Sequence, residues 1–158
     1  MTTSVLSIEH LVMSDQEIEL RKNSVEDDLT LEIYISPGGD KVNIYSSELN
    51  KQVETITSEP YQWQLDWIRT CFSKLNTDLN LTIKEVFTYS GVNDNTQIPI
   101  YITTVPDAYS VSGSWDLQNN DPVFLSMTQW EEGGIHTKSS WQKIFTHELG
   151  HLLGLEHP

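Results

Sequence analysis

The chain has 158 residues, with 23 acidic against nine basic side chains and a net charge of −14. That surplus argues against nucleic acid as a partner, since phosphate binding needs clustered Lys and Arg, and its ordinary consequence is solubility. A hydrophobic share of 37% with five Trp and six Tyr belongs to a globular domain with a core, not to a disordered chain, and no apolar run approaches the roughly 20 residues of a membrane span.

Residues 1–28 are polar and acidic, with charge-rich patches at Ser14-Asp15-Gln16-Glu17 and Glu26-Asp27-Asp28. A short propeptide, an added edge segment and a mobile tail all fit this composition. The stretch from Met1 to His10 lacks the basic start and apolar run of a cleaved secretion signal. The remainder, 29–158, reads as one domain. Leu29 to Ser36 alternates as a strand and ends at the turn signal Pro37-Gly38-Gly39-Asp40. Lys41 to Ser46 reads as a second extended piece, and either can be the first strand of a sheet. Glu59 to Leu79 is predicted to be a helix, with Ser58 as cap and Pro60 in the first turn. Leu65, Ile68, Phe72, Leu75 and Leu79 recur at helical spacing, and Trp63 and Trp67 lie one turn apart on an adjoining face. Cys71 falls inside this pattern; as the single cysteine it forms no intrachain disulfide, and a small buried hydrophobe is its expected role.

Strands are then expected at Leu81–Tyr89, Gln97–Val105, Tyr109–Trp115 and Val123–Trp130, with loops between them. The loop clusters Asn93-Asp94-Asn95 and Asn119-Asn120-Asp121 offer oxygen ligands for calcium, although turns use the same residues. Ser139 stands three before Gln142, a capping-box spacing that starts a second helix near Ser140. Strand, helix, several strands and a second helix describe a mixed α+β fold with the helices on one side of a sheet.

The second helix carries the chemistry. In His147-Glu148-Leu149-Gly150-His151-Leu152-Leu153-Gly154-Leu155-Glu156-His157-Pro158, His147 and His151 lie one turn apart, so both imidazoles can reach one ion. Glu148 lies beside the pair, placed to hold a metal-bound water and not to act as a ligand. Gly154 can take the left-handed conformation that ends a helix and reverses the chain, which brings His157 back to the same ion. Three imidazoles on tetrahedral zinc leave a fourth position open, the mark of a catalytic site. H-E-x-x-H alone is moderately specific; the further Gly and His at fixed offsets make the pattern much stronger. Phe145, Leu149 and Leu152 face the core, leaving His147, Glu148 and His151 toward a cleft. His10 and His136 lie outside the motif and are expected at the surface or in structural roles.

With Ser140 to Thr146 before it and Pro158 after the last histidine, this stretch resembles the metzincin zinc metalloproteases, in particular the serralysin and matrixin branch. The resemblance implies a zinc-dependent endopeptidase with His147, His151 and His157 as metal ligands and Glu148 as general base. It implies a twisted five-stranded sheet with one antiparallel edge strand, a backing helix (Glu59–Leu79) and an active-site helix, and Lys41–Ser46 suits the family's first strand better than Leu29–Ser36. Tyr109–Trp115 corresponds to the antiparallel edge, where a protein or peptide substrate is held as an extra strand. Metzincins place a methionine-containing turn downstream of the third histidine, and serralysins add a tyrosine and a calcium-binding repeat domain. The 158 residues therefore correspond to the upper subdomain. Serralysin-like proteins leave the cell through a C-terminal signal, so a secreted location is expected. Cys71 lacks the Pro-Arg-Cys-Gly surroundings of the matrixin latency switch. The alternative function is a zinc-binding module without catalytic activity.

Overall fold

A computed structural model of the chain describes residues 30–79, 82–90, 97–112 and 123–153. Its elements are β1 (Thr30–Ile35), β2 (Lys41–Ser46), β3 (Lys51–Ile56), α1 (Gln62–Leu79), β4 (Thr82–Val86), β5 (Gln97–Thr103), β6 (Ser110–Ser112), β7 (Phe124–Thr128) and α2 (Lys138–Leu152). Five strands form one sheet in the order β4-β1-β5-β7-β6. The first four are parallel, and β6 pairs antiparallel with β7 at one edge. The fold is thus mixed α+β, with two helices and a mostly parallel sheet.

Alternation along the strands sorts side chains between the two faces. Leu31, Ile33 and Ile35 of β1, Ile98, Ile100 and Ile102 of β5, and Leu125 and Met127 of β7 join Ile68 and Phe72 of α1 and Trp141, Phe145, Leu149 and Leu152 of α2 in one buried cluster. The first strand of this sheet is β1, not Lys41–Ser46, which corrects the assignment drawn from the family resemblance. The physical reason lies in the two patterns. Every second residue of β1 is buried among the helices, and its Tyr34 is buried as well. In β2, exposed positions alternate with covered ones, so it has only one face to bury. It pairs instead with β3 as a separate antiparallel hairpin. Ile44 of that hairpin is buried in a second cluster with Val105 and Ala108, against which Tyr101 and Phe124 are packed.

The strand β3 is absent from the sequence expectation because Lys51-Gln52-Val53-Glu54-Thr55-Ile56 buries little; its pairing with β2 decides its state. The hairpin is anchored where Thr57 and Asp40 exchange bonds: Thr57 N–H donates to Asp40 C=O at 2.8 Å, Asp40 N–H donates to Thr57 Oγ1 at 2.9 Å, and Ser36 Oγ and Thr57 Oγ1 are 2.8 Å apart. Gly38 is required at the turn, since its φ is +100° and a Cβ there would stand 2.9 Å from Glu59 N.

Helix α1 starts later than Ser58. Ser58 N–H is committed to Ile102 C=O at 2.7 Å, which holds that residue extended against the sheet. The Gln64 side chain instead reaches back to accept the Tyr61 N–H at 2.8 Å, the reciprocal half of a capping box. Helix α2, by contrast, starts ahead of its expected cap. Thr137 is the N-cap, its side chain accepting the Ser140 N–H, and Ser139 lies within the first turn. Among the described residues, no helix is long and apolar enough to cross a membrane.

Candidate metal centre

The end of α2 that carries the motif is held by its apolar stripe. Trp141, Phe145, Glu148, Leu149 and Leu152 are buried, and three indole N–H groups tie the helix and its approach to their neighbours. Trp141 Nε1 donates to Thr128 C=O at 2.9 Å, Trp67 Nε1 of α1 to Gln142 C=O at 3.2 Å, and Trp130 Nε1 to His136 C=O at 2.8 Å. Such contacts are not deducible from periodicity, because they join residues up to 75 positions apart. The abundance of tryptophan was the one available signal.

On the other face of α2 the two histidines meet. His147 Nε2 and His151 Nε2 lie 3.0 Å apart, with their rings nearly perpendicular at 89° and centroids 4.6 Å apart. Two nitrogens bound to one tetrahedral ion at 2.0–2.1 Å stand about 3.3 Å from each other. The pair is therefore within a few tenths of an ångström of chelating geometry, reachable by small side-chain rotations. Ligand atoms of His147, Glu148 and His151 all lie within 4.8 Å of one another, and this group can hold a metal ion.

Glu148 differs from its expected position. It is only 8% exposed, because it falls seven residues after Trp141 and four before Leu152, on the edge of the buried stripe. His147 is exposed and His151 intermediate. The arrangement is one carboxylate shielded from water beside one exposed and one half-buried imidazole. Shielding strengthens the hydrogen bonds that a carboxylate makes.

Helix α2 ends at Leu152, and Leu153 keeps right-handed backbone angles (φ −83°, ψ −4°) while its N–H reaches the Leu149 and His151 carbonyls. The chain has not reversed by that point. Gly154 and His157, the turn and third ligand of the sequence expectation, lie outside the described residues, as do His10, residues 1–28 and both candidate calcium clusters at 93–95 and 119–121.

The antiparallel edge strand β6 flanks α2, and its described portion, Ser110–Ser112, is shorter than the expected Tyr109–Trp115. Ser126 Oγ of β7 donates to Ala108 C=O at 2.7 Å, fixing the approach to this edge. His136 is engaged structurally, with Nδ1 3.1 Å from Ser140 Oγ and its ring edge-on to Tyr109 at 5.6 Å. Cys71 is half-buried; burial pushes its thiol pKa up, with a hydrogen bond from Thr146 opposing, so it is a packing residue and not an activated thiol. A cleft of about 170 Å³ opens between α1 and strands β1 and β4, lined by Ile33, Ile35, Phe72 and Ile83; its charged residues, Arg69 and Glu85, are paired with each other at 2.9 Å, and no His or Cys among the described residues lines it. The histidine pair, not concavity, marks the candidate centre.

Compared with models of known protein families, with curated proteins and with solved structures, the chain matches none.

Proposed function

We propose that this chain carries the catalytic centre of a zinc-dependent endopeptidase of the metzincin type, with Glu148 as general base and His147, His151 and His157 as metal ligands. The observation that carries this function is the 3.0 Å approach of His147 Nε2 and His151 Nε2 beside a buried Glu148, on a helix flanked by an antiparallel edge strand. The fixed spacing of Gly154 and His157 after that pair supports zinc over a structural use of the histidines.

Bound zinc supplies Lewis acidity for hydrolysis at neutral pH. The residues do the rest. His147, His151 and His157 would hold the ion through their ring nitrogens. Glu148 accepts a proton from the water that adds to the scissile carbonyl carbon, and passes it to the amine nitrogen as the C–N bond breaks. The main-chain groups of β6 hold the substrate extended, as an added strand, with its scissile bond over the end of α2. Secretion from the cell accompanies this function as part of the same proposal.

The test is a casein-cleavage assay on the metal-loaded chain with chelator and zinc-restoration arms, run beside a Glu148→Gln variant. Gln keeps the volume of a buried side chain, so the variant should retain zinc while losing about 10²–10⁴-fold in turnover, the range for a general base. Cleavage by Glu148→Gln at the parent rate would remove the base assignment. Stoichiometric zinc with no cleavage by the parent would favour the metal-binding module instead.

A further inference from the structure

At the opposite end of α2 from the histidines, Lys138 occupies an unusual position. It is the first residue of the helix, where the positive end of the helix dipole repels a cation. The chain holds 23 acidic side chains, yet the ion pairs among the described residues are Lys41–Glu54 and Arg69–Glu85, and Lys138 takes part in neither. Its Nζ lies instead 5.3 Å from the ring centroid of Trp130 and 5.6 Å from that of Trp63. Both distances fall inside the roughly 6 Å range of cation–π attraction, for which tryptophan is the best partner. The rings therefore draw in a cation against the dipole.

The two indoles form a rigid corner. Their planes are perpendicular (90°) with centroids 5.7 Å apart. Trp130 is fixed by its bond to His136 C=O, and Trp63 by edge contact with buried Trp141 at 5.4 Å. Tyr61 adds a third ring, stacked on Trp63 at 6.4 Å and edge-on to Trp130 at 6.1 Å. It is 45% exposed, so the corner opens to solvent. The exposed carboxylates Glu59, Glu131 and Glu132 neighbour these rings in sequence, and the net charge of −14 favours approach of a cation.

We propose that Trp63, Trp130 and Tyr61 form a binding site for a quaternary ammonium group, with Lys138 as an internal occupant that the ligand displaces. A primary ammonium is a strongly hydrated point charge and keeps its water when it rests on exposed rings. A trimethylammonium group has no N–H bonds to water to give up and presents methyl groups to the indole faces, so it is the better occupant of the same corner. This site is independent of the metal centre.

The experiment is an NMR titration of the full chain with choline and, separately, with Nα-acetyl-ε-trimethyllysine amide, following the side-chain N–H resonances of Trp63 and Trp130. Saturable shifts are expected with both probes, the tighter one identifying the bearer of the group. Lys138→Ala removes the competitor at an exposed position that tolerates Ala, and should tighten binding about two- to fivefold, the span of an exposed cation–π contact. The neutral isostere 3,3-dimethylbutan-1-ol should produce no saturable shift. Absence of saturable shifts in Lys138→Ala, or equal binding of the neutral alcohol, would show that the rings only pin Lys138 and would overturn the site.

Discussion

Replacing His151 by Ala probes the proposed zinc site through a quantity that the geometry sets. Zinc sites with four protein ligands bind with about 10–16 kcal/mol at neutral pH, so one ligand accounts for roughly 3 kcal/mol. Against this stands the contact that the two imidazoles make with each other. At 3.0 Å the two Nε2 atoms are within hydrogen-bond distance, and that bond, worth about 1 kcal/mol, is given up when both nitrogens turn to the ion. The nitrogens start within a few tenths of an ångström of the spacing a tetrahedral ion needs, so rearrangement subtracts little more. The net loss in His151→Ala is therefore about 2–3 kcal/mol, a rise in zinc Kd of roughly 30- to 150-fold at 1.4 kcal/mol per decade. Folding is spared, because His151 is not in the buried stripe of α2 and Ala is the better helix former. Competition for zinc against a chromophoric chelator measures the ratio, with circular dichroism confirming an unchanged helix and His136→Ala as a control that should keep the parent Kd. A His151→Ala affinity within threefold of the parent would show that the imidazole is no ligand.

Two further predictions concern the scaffold. Thr137→Ala removes the side chain that accepts the Ser140 N–H at 3.0 Å and should cost about 1 kcal/mol, a fall in Tm of about 2–4 °C for a chain of this size by calorimetry; Ser139→Ala should be near neutral, and the reverse ranking would reinstate Ser139 as the cap. Burial, then the hydrogen bond to Asp40 at 2.7 Å, pushes the Tyr34 hydroxyl from 10.0 up to about 12. A raised pKa means that the unfolded chain loses this proton first, so the stability it contributes is complete below pH 10 and is lost as pH climbs to about 12. Urea unfolding across that window should show a smaller loss in Tyr34→Phe than in the parent; equal slopes would contradict the assignment.

Both helices and the four sheet strands after α1's start were legible because their patterns are strong: Leu65, Ile68, Phe72 and Leu75 at helical spacing, and three isoleucines in alternation at 98, 100 and 102. The elements decided by tertiary context were not. Ser58 has the chemistry of a cap, but Ile102 C=O claims its N–H, and Gln64 caps the helix from within. Lys41–Ser46 and Thr30–Ile35 look equally strand-like one at a time; only the two-sided burial of β1 separates them. The histidine pair was legible because its geometry is local, a single helical turn. Burial of Glu148 was not, since it depends on how far the apolar stripe anchored by Trp141 spreads around α2.

X-ray absorption at the zinc edge of the loaded chain tests whether three imidazoles hold zinc with a fourth position left to solvent. Three nitrogen scatterers with imidazole signatures at about 2.0–2.1 Å and one oxygen are expected, falling to two imidazoles in His157→Ala. A parent site with only two imidazoles, unchanged by His157→Ala, would show that His157 is no ligand.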